Sequence, residues 1–224
     1  MKYQLENLHR RSGITKESCF HAARRLETHN SLSLWALTTL AFSLIVISLI
    51  TQIYSDNSFI IEYQRFLNFS MTALSILALI ISLVVSKSDF SLRANQFKLQ
   101  AMEINELRIS FRHLIEKEAD DAEKEELYKI NGDKYSNIIK RNLVHDQIDY
   151  HISNSNGIEN KYYTIKLIVT EFLGYILIML TAAVLLLWST INTYKNVEYS
   201  IDKKTPITIS IGDSNIKKGN SNDQ

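Results

Sequence analysis

Two apolar runs without charge, close together in the chain, constrain the fold more than any other feature of this sequence. Residues 32–53 form the first run, and residues 66–86 form the second, between Arg65 and Lys87. At roughly 1.5 Å of rise per residue the first run makes a helix of about 33 Å, which matches the hydrocarbon core of a bilayer. We therefore predict a transmembrane hairpin over residues 32–85 rather than a pair of core helices in a soluble protein.

A third apolar run lies near the C-terminal end. Residues 172–194 carry no charge and directly follow Glu171. We predict a third transmembrane helix over residues 163–194. A polar tail, residues 195–224, follows it and contains alternating isoleucines at positions 207 to 211, a pattern typical of a short strand.

The distribution of charge predicts the orientation. With 25 basic and 24 acidic residues the net charge is +1, which favours neither nucleic acid nor an acidic substrate as a partner. Basic residues are concentrated in residues 1–31, so the N-terminus is expected in the cytoplasm. This leader is predicted to be an amphipathic helix on the inner membrane surface, with Thr15 as its N-cap. Arg24 and Arg25 serve either to anchor the leader or to contact a ligand or interface.

Residues 87–160 are predicted to form a cytoplasmic helical hairpin. Apolar residues alternate at spacings of three and four in its first helix, which is typical of a helix that packs along one seam. The expected partner is the segment 135–153, after a turn at Asn131, Gly132 and Asp133. The candidate seam for oligomer formation comprises Phe97, Ile104, Arg108 and Phe111.

The second apolar run carries a stripe of polar residues on one helical face. Asn68, Thr72, Ser75 and Ser82 recur at spacings of four, three and seven. Small polar residues of this kind serve either close packing between membrane helices or the lining of a water-filled path between several copies. Both interpretations stay open from the sequence, and the four residues are candidates to line a pore.

Motifs for catalysis do not stand out. Cys19 is the single cysteine, which excludes an intramolecular disulfide, and neither a glycine-rich phosphate loop nor a nucleophile elbow occurs. No enzymatic activity and no cofactor are therefore expected. One cluster, His145, Asp146, Asp149 and His151, has residue types that bind metals, but capping and packing explain it more simply.

The order of these features resembles the SLATT family of bacterial membrane effectors. The resemblance rests on residues 20–26 before the first run, on Arg93, Ala94 and Leu107 after the second, and on residues 135–150. It covers residues 14–153, so the third span and the tail are additional to a two-span core. It implies a pore-forming effector of an anti-phage or conflict system in the bacterial inner membrane. The implied partner is a cytoplasmic sensor, a nucleotide second-messenger synthase or a reverse transcriptase encoded nearby.

The sequence as a whole predicts an all-α membrane protein with a transmembrane hairpin, a third transmembrane helix and a long cytoplasmic helical hairpin. The expected function is that of a homo-oligomeric pore that depolarises the cell, with no direct contact to nucleic acid. The alternative is a membrane anchor or scaffold that does not conduct ions and recruits a soluble partner enzyme.

Overall fold

The elements that the structure describes are all helices, as the sequence predicted. The computed structural model describes residues 2–116, 121–141 and 144–203. In chain order the helices are α1 (Lys2–Ile53), α2 (Ser58–Ser88), α3 (Phe90–Glu116), α4 (Asp121–Arg141), α5 (Gln147–Asn154), α6 (Ile158–Leu167), a π-helical segment (Ile168–Phe172) and α7 (Leu173–Lys203). The strand pattern at positions 207 to 211 and most of the predicted tail lie outside the described residues.

Three helical stretches are long and apolar enough to cross a membrane. They lie in α1, in α2 with α3, and in the run from α6 to α7, and they contain the three apolar runs of the sequence. We call residues 32–53 of α1, together with α2 and α7, the apolar bundle. We call residues 2–31 of α1, together with α3, α4 and α5, the polar bundle.

Helix α1 joins the two bundles without interruption. The predicted leader and the first span form one helix of 52 residues, because no proline occurs in it and a single Gly13 does not break a helix. Thr15 therefore lies inside the helix instead of capping it, and its hydroxyl donates to the carbonyl of Arg11 at 3.1 Å. The apolar side of the leader packs against α3 rather than lying on a membrane surface.

The polar bundle is built around close contact between α1 and α3. Ala22 and Ala23 of α1 and Ala101 of α3 are fully buried, and such small side chains let two helices approach closely. The core that they form contains Leu8, Cys19, Ala22, Ala23 and Leu26 of α1, Ala94, Phe97, Ala101, Ile104 and Leu107 of α3, and Tyr135 and Ile138 of α4. The predicted seam of α3 thus packs mainly against α1 of the same chain.

The predicted turn and second helix of the hairpin are wrong in detail. Helix α4 continues through Asn131, Gly132 and Asp133 to Arg141, because the surrounding residues favour a helix and one glycine costs only about 1 kcal/mol. The segment 135–153 is consequently not one helix but the end of α4 followed by the short helix α5. The predicted break after it is confirmed, since α5 ends at Asn154 and Gly157 has a φ of +62°.

Short connections hold the apolar bundle together. Asn57 caps α2, with its side-chain oxygen accepting from the amide of Phe59 at 2.9 Å, and its side-chain amide donates to the carbonyl of Thr193 at 3.3 Å. At the other end of α2, Asp89 adopts a left-handed conformation with a φ of +46°, which separates α2 from α3. Each end of α2 is thereby fixed by one residue.

Side chains from three helices form the interior of the apolar bundle. Leu40 of α1, Leu74 and Ile81 of α2 and Ala182 of α7 form one buried cluster. Trp188 packs on Phe59 with ring centroids 5.0 Å apart and closes the other end. Most other apolar side chains of these helices point outward, as expected of surfaces that face lipid; among them are Phe42, Ile45, Phe69, Leu83 and Leu187.

We expect the substitution Ile104→Asp to destabilise the polar bundle. Ile104 is fully buried between α3 and α1, so an aspartate there places an unpaired charge in the core at a cost of several kcal/mol. The matched control is Ile109→Asp, since Ile109 lies on the same helix and is 55% exposed. Thermal unfolding in detergent, followed by circular dichroism, measures both variants. Equal melting temperatures for the two would contradict this packing.

Candidate functional site

Two residues of α1 point into the junction between the two bundles. Arg25 and His29 are four residues apart and so lie on the same face of the helix. Their side chains are 11% and 13% exposed, respectively. Buried charged and titratable groups need partners, and the structure supplies them from α5 and from the π-helical segment.

Arg25 forms a two-pronged ion pair with Asp149 of α5. Its Nε lies 3.2 Å from Oδ1 of Asp149, and its Nη2 lies 3.0 Å from Oδ2. Nη2 also pairs with the carboxylate of Asp146, the residue that precedes α5. The planar guanidinium suits this geometry because its N–H groups match the two oxygens of a carboxylate.

The third partner comes from the π-helical segment that leads into α7. Nη1 of Arg25 lies 3.2 Å from both carboxylate oxygens of Glu171. His29 bonds the same carboxylate, with 2.8 Å between Nε2 and Oε2. π-Helical turns are rare in proteins, and those that occur are often found at functional sites. Here the π-helical segment places both Glu171 and Phe172 against α1.

His29 is surrounded by aromatic rings as well as by Glu171. Its ring stacks on Phe90 of α3 at 5.2 Å and contacts Phe172 at 4.8 Å and Tyr175 of α7 at 5.9 Å. Because a carboxylate oxygen only accepts hydrogen bonds, Nε2 carries the proton in this pair. Its other nitrogen, Nδ1, is buried and has no partner among the described residues.

We call Arg25 and the groups around it, Asp146, Asp149, Glu171 and His29, the ionic cluster. Three carboxylates in it, those of Asp146, Asp149 and Glu171, face the single guanidinium of Arg25, so acidic groups outnumber the arginine. Burial raises the pKa of Asp149, although the Arg25 guanidinium opposes that shift. The carboxylates raise the pKa of Arg25 further above its ordinary value, so Arg25 stays cationic at any physiological pH. Arg25 is thus the charge on which the other members depend.

The cluster that was weighed as a metal site and interpreted as capping and packing, His145, Asp146, Asp149 and His151, is divided between different contacts. Asp146 and Asp149 pair with Arg25, whereas the ring of His151 stacks on Tyr163 at 4.7 Å. Within residues 2–116, 121–141 and 144–203, no three His, Cys, Asp or Glu side chains are arranged so that they could hold a metal ion.

The other candidate residues lie in different parts of the fold. Arg24 is exposed, unlike its neighbour Arg25. In the predicted seam, Arg108 is half-buried and donates to the carbonyl of His9 at 3.4 Å, while the side chain of Phe111 lies outside the described residues. The four polar residues of the stripe, Asn68, Thr72, Ser75 and Ser82, are all exposed on α2. The structure therefore brings only Arg25 into the ionic cluster.

A comparison with known families decides what kind of protein this is. The sequence model of the SMODS and SLOG-associating 2TM effector domain family 5 matches residues 1–194. The chain belongs to this family. No curated protein and no solved structure gives a significant match. The resemblance to SLATT proteins in the sequence is thereby confirmed, and the chain is a membrane effector domain of conflict and defence systems.

The SLATT match also extends farther than the resemblance predicted. It begins before residue 14 and continues past residue 153 to residue 194, so it includes the π-helical segment and most of α7. The third apolar helix is therefore part of the matched domain rather than an addition to a two-span core. The ionic cluster lies within the match as well.

Sequence reasoning missed His29 and Glu171. In the sequence Glu171 marks only the boundary of the third span, and no pattern singles out His29. A signal was present, because a carboxylate next to a membrane span is costly unless it has a partner. The partner itself, 142 positions away in the chain, follows from no local pattern.

We expect Arg25→Met to lower the free energy of unfolding by about 3–5 kcal/mol, because Asp149 is then left buried without its counter-charge. Arg24→Met is the matched control and should change it by less than about 0.5 kcal/mol, since Arg24 is exposed. Denaturant titration in detergent measures both. Restoring part of the loss by adding Asp149→Leu to Arg25→Met would confirm the cause. A double variant as unstable as the sum of the two single variants would contradict it.

Proposed function

We propose that this SLATT protein is a pore-forming effector. Several copies assemble in the bacterial inner membrane with the N-terminus in the cytoplasm, and the assembly depolarises the cell when a partner encoded nearby senses infection. The observation that supports this proposal is the polar stripe of α2, whose four residues are exposed and are not covered by any other described helix.

The stripe lies beside the packed face of α2 rather than on it. Helix α2 packs on α1 and α7 through Leu67, Leu74 and Ile81, all of which are buried. At roughly 100° per residue, Ser75 lies about 100° around the helix from Leu74. A single chain leaves this polar side open, so another copy or water has to meet it.

Asn68 makes the need for a partner strongest. The hydroxyls of Thr72 and Ser75 donate to carbonyls of their own helix, at 2.9 and 2.8 Å, so they tolerate lipid. The side-chain amide of Asn68 has no such bond within the part of the chain that the structure describes. An unpaired amide in hydrocarbon costs several kcal/mol, which favours contact with water or with a polar group of a second copy.

The ionic cluster provides a route from the polar bundle to the third span. Arg25 holds α5 through Asp149 and holds the start of α7 through Glu171. A partner that displaces α5 therefore weakens the contact that fixes α7. We infer that activation by the partner acts through this cluster.

The proposed orientation is tested by labelling single cysteines with a reagent that does not cross membranes. We expect Ser58→Cys, at the start of α2, to react in intact cells and Ser110→Cys, in α3, to react only after permeabilisation. Both positions are exposed. The background is Cys19→Ser, although Cys19 is buried and burial raises the pKa of its thiol to about 12. The opposite pattern of labelling would contradict the orientation.

The pore is tested by blocking the stripe. Ser75→Leu should abolish depolarisation, because an apolar side chain at the narrow part of a water-filled path excludes water, while leucine leaves membrane insertion intact. The measurement is a potential-sensitive dye in cells that express the variant.

The matched control is Ala73→Leu. Ala73 is exposed on α2, about 160° around the helix from Ser75. The substitution therefore adds a leucine on a side of the helix that the proposal assigns to lipid. It should depolarise cells like the parent protein. An equal dye response from Ser75→Leu and the parent protein would contradict the pore and favour an anchor that recruits a soluble enzyme.

A further inference from the structure

Helix α3 carries a second apolar stripe, on the side turned away from its core face. Residues at spacings of three and four form it, and we call them the outer seam: Leu92, Asn95, Leu99, Met102, Glu106 and Ile109. Its four apolar members are each more than half exposed. Leu99 lies about 160° around the helix from the buried Phe97, so the outer seam and the packed face of α3 are nearly opposite.

The outer seam extends far beyond the reach of lipid. Helix α3 runs back along α1 from the junction, because Phe90 stacks on His29 at its start and Arg108 donates to the carbonyl of His9 near its end. The 20 residues from His9 to His29 correspond to about 30 Å of helix. The headgroup layer on each side of a bilayer is only about 5–8 Å deep. Lipid therefore does not cover Ile109.

The spacing of the outer seam selects a helix as its partner. Leu92 and Leu99 occupy equivalent positions of a heptad, here called a, and Met102 and Ile109 occupy the positions called d. Apolar residues at a and d pack against the same positions of a second helix. No described helix of the same chain covers these side chains, since all four stay exposed. Apolar side chains at this spacing in water gain free energy when a second helix covers them.

The charges beside the outer seam favour a second copy of this chain as the partner. Lys98 lies at the flanking heptad position g, and Glu103 lies five residues later at the flanking position e. In a parallel pair of helices, g of one helix meets the following e of the other, so each copy brings a lysine to a glutamate of its neighbour. Copies that are inserted in one membrane in the same direction have parallel α3 helices. Lys98 also pairs with Glu27 of its own chain, but an ammonium group has three N–H donors.

Glu106 is the charged member of the outer seam. It occupies an a position, where a parallel copy places its own Glu106 opposite. A polar residue at such a position weakens the pair, and like charges that face each other weaken it further. Replacing this residue by an apolar one is therefore expected to strengthen the contact, a result that a stripe without a role in assembly would not give.

We propose that the outer seam joins α3 of one copy to α3 of a second copy in a parallel pair. This interface rests on the assembly of copies proposed above. It takes the place of the seam expected from the sequence, because Phe97 and Ile104 of that seam already pack in the core with α1. The contact forms in the chain alone, before any partner acts on it.

Disulfide crosslinking of the full chain in isolated membranes tests the interface. With Met102→Cys in the Cys19→Ser background, oxidation should link most chains into dimers, because d positions of a parallel pair face each other. Arg93→Cys is the matched control, since Arg93 is exposed on α3 about 180° around the helix from Met102. It should give at least about tenfold fewer dimers. Equal yields from both, or adducts with a different protein in place of dimers, would overturn the interface.

Two further substitutions change the strength of the contact in opposite directions. Leu99→Asp should abolish the dimers while the helical circular dichroism spectrum stays the same, because Leu99 is exposed within one chain. Glu106→Leu should let dimers persist at protein concentrations about tenfold lower, since an apolar layer replaces two like charges. Light scattering of the purified chain in detergent, over a dilution series, measures both. A mass that neither substitution changes would contradict the outer seam.

The outcome for the interface is separate from the outcome for the pore. Dimers from Met102→Cys in a chain that fails to depolarise cells would leave the interface standing and contradict the pore. Depolarisation by a chain whose Met102→Cys variant gives no more dimers than Arg93→Cys would leave the pore standing and contradict the interface.

Discussion

The arrangement of the helices depends on one buried charge, that of Arg25. Asp149, at 1% exposure, is stable in the core only because a guanidinium meets both of its oxygens. The same guanidinium meets Glu171, so α5 and the base of α7 are held by a single side chain of α1. A pair of apolar residues would hold two helices as firmly, but it would not place three elements with one defined geometry.

The apolar runs and the break before Gly157 were predictable, because the cost of backbone polar groups in hydrocarbon and the freedom of glycine act locally. The face that contains Phe97 and Ile104 was also predictable from its spacing. What that face packs against was not, since an apolar seam fits any helix with a complementary surface. The alanines at positions 22 and 23 of α1 let α3 approach closely, so α3 packs mainly on α1, while Tyr135 and Ile138 of the expected partner segment join the same core.

In the candidate site, too, local features were predictable from the sequence and long-range partners were not. Arg24 and Arg25 are indistinguishable in the sequence, yet a rotation of about 100° around α1 makes one a surface residue and the other the centre of a cluster. Glu171 is recognisable as a costly charge beside an apolar run. Its partners follow from the extra residue of the π-helical segment, a local irregularity that helical periodicity does not reveal.

The unbroken length of α1 has a mechanical consequence. A helix of 52 residues is roughly 78 Å long, and Arg25 lies near its middle. It is therefore a lever with a pivot at the junction and two arms of similar length. A small tilt at the end near Leu5 produces an opposite displacement of similar size at the end near Ile53. If α1 tilts as a rigid rod about Arg25, motion in the polar bundle therefore reaches the far end of the apolar bundle with similar amplitude.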